Sequence, residues 1–93
     1  MAKKIKKTWR IVIRKGLHTS IQYSLYETMP QAYNEAVIIS QEIENGRRFI
    51  NVINSLLLVS EIHQIRVEFL DDKNNWNLNE IVWKRFSSPK YGR

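Results

Sequence analysis

RRFINVINSLLLVSEIHQIRVEFL, Arg47 to Leu70, decides how this chain is read, because no other stretch is as apolar. Read as strands, Phe49 to Ile53 is one run and Leu56 to Val59 another, with the turn formers Asn54 and Ser55 between them. Ser60 to His63 follows as a short turn. Ile65, Val67 and Phe69 then alternate with Arg66 and Glu68, the period of two that marks a half-buried strand. A helix is the competing reading. Asn51, Asn54, Ser55 and Leu58 would share one side and leave the other apolar. Strands are preferred for two reasons. Ile50, Val52, Ile53, Val59, Ile62 and Ile65 are β-branched and suit a pleated surface. The alternation over 65–69 does not fit a helical period. Strands are therefore expected at 48–53, 56–59 and 64–70.

Immediately upstream lies the clearest helix. Thr28-Met29-Pro30 starts it, since a proline in the first turn lacks only an N–H that would be unpaired there. Gly46 stops it in the left-handed capping position. Ala32, Ala36, Ile39 and Ile43 make one apolar stripe, widened by Met29, Tyr33 and Val37. Gln31, Asn34, Glu35, Gln41 and Glu42 lie opposite. Ile38 is the misfit, pointing into that polar face. A lone exposed apolar residue is ordinary, and a contact with a partner or with the chain's own C-terminal segment is the alternative.

Further upstream, Trp9, Ile11 and Ile13 alternate with Arg10, Val12 and Arg14. Ile21, Tyr23 and Leu25 alternate with Gln22, Ser24 and Tyr26. With the Lys15-Gly16 turn signal between them, the two runs read as a hairpin. Its outer face would carry Arg10 and Arg14 beside Gln22, Ser24 and Tyr26. Downstream, Asp71 to Asn75 is a polar loop. Trp76 to Phe86 is a last element, read as a strand in preference to a short helix capped by Asn77.

The order is β-β-α-β-β-β with one further element. The expected architecture is α+β: a small antiparallel sheet of about four to six strands with one long helix packed on one face. Its core should hold Trp9, Ile11, Ile13, Tyr23, Ala36, Ile39, Ile43, Val67 and Phe69. Residues 1–7 read as a flexible basic tail, 8–86 as a single domain and 87–93 as a basic C-terminal tail.

Charge is distributed unevenly. The net charge is +6, yet residues 1–26 carry seven Lys or Arg and no acid, and residues 81–93 carry four and no acid. The segment 27–80 holds all nine acids against four bases. There is no Cys, hence no disulfide framework and no thiolate ligand. No apolar run approaches the ~20 residues that span a bilayer. MAKKIKKTWR has no apolar core behind its lysines, so a secretory signal is not expected and a cytoplasmic protein is.

The catalytic inventory is thin. Two His, no Cys and three Gly supply no phosphate loop, nucleophile elbow or metalloprotease motif. Glu61 and His63 read as turn residues, and Asp71-Asp72 as a solvated connection. A non-enzyme without cofactor or metal is expected. The binding surfaces are richer. Lys3, Lys4, Lys6, Lys7, Arg10, Arg14 and Lys15 cluster early, with Tyr26 on the same face. Lys84 and Arg85, followed by Lys90, Tyr91 and Arg93, make a second basic segment, and Arg47-Arg48 a third. Cations for phosphates and aromatic faces for bases are what single-strand binders use. The expected function is therefore a small basic module for RNA or single-stranded DNA.

Two alternatives stand beside it. The short, cysteine-free, Lys-, Ile- and Asn-rich composition resembles small accessory proteins of phages. That likeness implies an accessory or inhibitor protein that binds a host protein or nucleoprotein complex through exposed apolar residues such as Ile38 and an unpaired sheet edge. A pocket for a small nucleotide ligand, with Arg or Lys on its phosphates, is the third reading.

Overall fold

Alternation of period two makes the first two elements. They are β1, Trp9–Lys15, and β2, Thr19–Tyr26, antiparallel and in a register that puts Ile13 opposite Ile21. The computed structural model describes residues 6–16, 18–52 and 55–85. Residues 1–5 of the expected tail at 1–7, the expected tail at 87–93, Ile53 at the end of the expected strand 48–53 and the expected turn former Asn54 lie outside them.

α1, Met29–Glu44, follows, and both of its ends are written in the sequence. Thr28 is the N-cap. Its hydroxyl accepts from the Gln31 N–H at 3.4 Å, and the Gln31 side chain accepts from the Thr28 N–H at 3.1 Å. This reciprocal box satisfies donors that the first helical turn leaves free. At the other end Gly46 has φ +94, and its N–H donates to the Ile43 carbonyl while Arg47 N–H donates to that of Glu42. That pair of bonds closes the helix through a left-handed residue. Thr28→Ala is expected to cost about 1 kcal/mol of unfolding free energy, measured by urea denaturation. No loss would mean that Pro30 alone sets the start.

The described part of the decisive stretch holds three strands and one 3-10 turn, and no α-helix. β3, Phe49–Val52, pairs with β4, Ser55–Leu58, and a 3-10 turn at Val59–Glu61 leads into β5, Ile62–Leu70. The helical reading is excluded. His63 lies within β5 and not in a turn, because the strand begins at the fully buried Ile62. β6, Trp76–Lys84, is the last element, a strand as expected. In the loop before it the Asp71 carboxylate accepts from the N–H groups of Lys73 at 2.8 Å and Asn75 at 2.9 Å. The backbone bond from Asn75, then the Asn77 amide, hold that carboxyl below its ordinary range.

The strands do not form one sheet. The order β2-β1-β5-β6 makes an antiparallel four-stranded sheet, and β3-β4 stand apart as a two-stranded ribbon. The ribbon's strands are short, and such a pair holds only when packed against something else. It buries Ile50, Val52 and Leu57 in the core. The 16-residue helix covers one face of the larger sheet. Between them lie Ile11, Ile13, Ala36, Ile39 and Val67, all expected, together with Ala32, Ile62 and Ile65. Trp9, Tyr23 and Ile43 pack on the rim of this core, and Phe69 is half-buried with its ring 5.8 Å from that of Trp9. Trp83 donates its indole N–H to Glu44 at 2.8 Å, which ties β6 to the helix end. Among the described residues no helix is long and apolar enough to cross a membrane.

One departure changes a face. Between Ile11 and Val12 the β1–β2 register shifts, so that Ser24 faces Ile11, Gln22 faces Val12 and Tyr23 is the extra residue. A bulge of this kind inverts the alternation beyond it. Leu25, expected inside, is exposed opposite Arg10, and Tyr26, expected outside, packs with Trp9 on the core side.

Candidate functional site

The helix leaves the other face of the four-stranded sheet uncovered. On β1, the residues between the buried Ile11 and Ile13 and around them are Arg10, Val12 and Arg14. On β5, Gln64, Arg66 and Glu68 alternate with the buried Ile65 and Val67. Cross-strand pairing aligns Arg10 with Glu68, Val12 with Arg66, and Arg14 with Gln64. Two register shifts in β6 bring Trp76, Leu78, Ile81 and Lys84 opposite Leu70, Glu68, Arg66 and Gln64. Among the described residues, the face thus carries Arg10, Arg14, Arg66 and Lys84 against the carboxylate of Glu68. α1 carries Glu35, Glu42 and Glu44 and no Lys or Arg. The helix carboxylates thus lie on the side of the sheet opposite these cations.

Glu68 organises this face. Its side chain is 9% exposed and lies between two guanidinium groups. Arg10 Nε donates to Oε1 at 2.8 Å, and Arg66 Nε donates to Oε2 at 2.6 Å. Burial pushes the carboxyl up, but the bonds from Arg66 and Arg10 and their charges outweigh it and hold it below the ordinary value. Arg10 also donates to Gln22 at 3.2 Å, and Arg66 to Gln64 at 3.0 Å. The Arg10 guanidinium sits 4.2 Å from the centroid of the Trp76 ring. Val12, 2% exposed on this charged face, lies between its cross-strand neighbours Gln22 and Arg66. Long stems of that type cover apolar neighbours while their heads stay wet. Among the described residues, Arg14 Nε is buried without a hydrogen-bond partner. The result is a fixed lattice of cations, with an indole at one end.

Of the residues expected to bind nucleic acid, Arg10, Arg14 and Lys84 meet on this face. Lys6 and Lys7 are exposed just before β1, and Lys3 and Lys4 lie outside the described residues. Lys15 is bridged to Glu61 at 3.5 Å. Two residues stand off the open face. Tyr26 is on the helix side, where burial pushes its hydroxyl up to about 12 although a Ser24 hydrogen bond acts the other way. Arg85 donates Nε to the Ile62 carbonyl at 2.9 Å and Nη2 to that of Val59 at 2.6 Å, over the Trp83 ring. Those bonds clamp the 3-10 turn and take Arg85 off the open face.

Arg66 and Trp76 were missed as site residues. The phase of Arg66 against Ile65 and Val67 was visible, whereas the side taken by Trp76 depends on register shifts in β6. Ile38 is exposed as expected, and it borders a shallow groove of about 470 Å³ that also touches Lys7, Leu25, Tyr26 and Glu35. His18 and His63 share a cleft with Lys15 and Glu61, but no three metal-ligating side chains converge among the described residues. No protein-family model, curated protein or solved structure matches the chain.

Proposed function

We propose that this is a non-enzymatic module for RNA or single-stranded DNA, and that it binds through the open sheet face. One observation carries the reading. Arg10, Arg14, Arg66, Lys84 and Trp76 share the face that the helix leaves uncovered, while the helix carboxylates lie behind it. Four strands about 4.8 Å apart give a platform on the scale of the two or three bases that such sheets stack. Guanidinium and ammonium groups neutralise phosphates along it, and Trp76 offers a face for a base. The exposed Lys6 and Lys7 extend the positive path beyond β1. A cytoplasmic setting, where such strands are met, goes with this reading.

The test avoids Arg10 and Arg66, because removing either would leave Glu68 half-paired and disturb the fold. Arg14→Gln with Lys84→Gln leaves that network alone. Each lost phosphate contact to a single strand should lower the slope of log affinity against log salt by about 0.7. The double variant should therefore lose up to two contacts' worth, with its melting temperature little changed. An unaltered slope, or no binding of mixed-sequence strands even at low salt, would overturn the proposal.

A second reading rests on the ribbon. Phe49 and Leu58 are paired across it, and both they and Leu56, at 61%, are exposed. An apolar strand pair of this kind suits an accessory or inhibitor protein that docks on another protein. Such binding would depend weakly on salt. Leu56→Glu would damage it and leave strand binding intact.

A further inference from the structure

At the base of the ribbon, away from the residues of the open face, lies a cleft of about 580 Å³. That size is ordinary for a small-ligand site. Among the described residues it is lined by Arg47, Arg48, Phe49, Leu58, Val59, Ser60 and Arg85, with no carboxylate. Local structure explains the convergence. The left-handed turn at Gly46 ends α1 and delivers Arg47 and Arg48 at once to the start of β3. The Val59 N–H donates to the Arg48 carbonyl at 2.9 Å, which closes the ribbon and sets Phe49 beside Leu58. Arg85 reaches in from the end of β6. Its Nε and Nη2 are fixed on two carbonyls, so its charge is held in place and Nη1 has no bonded partner among the described residues.

The remaining groups differ in freedom. Arg47 meets Glu42 at 3.8 Å with both side chains well exposed, an ion pair worth little. Arg48 has no ion pair among the described residues and is exposed. The Phe49 ring is exposed along one wall, with Leu58 beside it. Three guanidinium groups, one hydroxyl and an aromatic wall are complementary to a doubly charged phosphate carried on a flat ring system.

We propose that this cleft binds a 5′-phosphorylated nucleoside. The phosphate lies among Arg47, Arg48 and Arg85 with the Ser60 hydroxyl, and the base lies against Phe49 and Leu58. The ligand is either a free mononucleotide or the phosphorylated end of a strand. The site uses none of the open-face cations, so it stands or falls independently of strand binding there.

The experiment is a calorimetric titration of the full chain with adenosine 5′-monophosphate, adenosine and inorganic phosphate in turn. It is repeated with 5′-phosphorylated and 5′-hydroxyl forms of one short oligonucleotide. The monophosphate or the phosphorylated end should bind about ten-fold tighter than its counterpart without the phosphate, the size of one charge-assisted contact. Arg48→Glu should abolish that preference. Phe49→Ser should weaken the monophosphate but not inorganic phosphate. Arg14→Gln with Lys84→Gln should leave the preference unchanged. Preference for the monophosphate alone identifies the free nucleotide as ligand, and preference for the phosphorylated oligonucleotide identifies a strand end. No preference in either series overturns the proposal, as does a preference that survives Arg48→Glu. Arg48 is exposed and its side chain bonds no other residue among those described, so the variant should fold, which circular dichroism checks.

Discussion

Ile39→Ala is expected to lower the unfolding free energy by about 2–5 kcal/mol. Ile39 is 2% exposed and sits mid-helix over the sheet. Its fully buried helical neighbours on that face, Ala32 and Ala36, are too small to move into the space left, and Ile43 is held at the rim. The opposing wall is the hydrogen-bonded pair β1–β5, carrying Ile11, Ile13, Ile65 and Val67, which cannot collapse as a loop would. The cavity should persist, placing the loss in the upper part of that range. For a domain of this size each kcal/mol shifts the melting temperature by roughly 4–8 °C, so a fall of more than about 10 °C is expected by calorimetry. The adjacent residue is the control. Ile38 is 48% exposed, and Ile38→Ala should stay within about 0.5 kcal/mol of the parent. Equal effects at the two positions would misphase the helix.

That contrast was readable from the sequence, because a helix has one period and its ends are chemically marked. Thr28, Pro30 and Gly46 bounded α1 to within a residue, and the 3.6-residue stripe separated Ile39 from Ile38. The strands were legible as elements for a similar reason, but their faces were not. A bulge belongs to the pairing of two strands and not to either sequence, so nothing in Ile21 to Tyr26 announced that Tyr26 would turn inward. The same is true of the two register shifts in β6 that set Trp76 beneath Arg10. The separation of β3–β4 from the main sheet was also hidden, since the apolar run specifies burial without naming a hydrogen-bonding neighbour. Arg10 and Arg14 stand on the expected face because β1 keeps its alternation between Ile11 and Ile13. Arg85 stands off the open face because its donors close on the carbonyls of Val59 and Ile62, a placement that charge alone does not show.

Glu68→Gln is expected to cost about 2–4 kcal/mol at neutral pH. Breaking a buried ion pair costs ~3–5 kcal/mol; the lower figure reflects Arg10 and Arg66, whose side chains are 22% and 21% exposed and so partly solvated. Gln keeps the shape but turns an N–H₂ donor toward one guanidinium, leaving two cations near each other without their shared anion. The pH dependence has a definite sign. The folded carboxyl titrates below its ordinary value of 4.5, so its contribution is complete above that pH and is lost as pH falls through the folded value. Parent and variant stabilities, measured by urea denaturation, should therefore differ at pH 7 and converge in acid. A gap that stays constant down the acid range would place the cost in packing and not in charge. Among the described residues, the same substitution removes the carboxylate that the proposed strand-binding face carries. Affinity for single strands at low salt should rise while stability falls, because Arg10 and Arg66 lose their internal counter-ion and phosphates can replace it. Opposite signs in the two measurements would tie the ion-pair network to binding. If affinity falls together with stability, Glu68 acts only by holding Arg10 and Arg66 in the geometry that the strand requires.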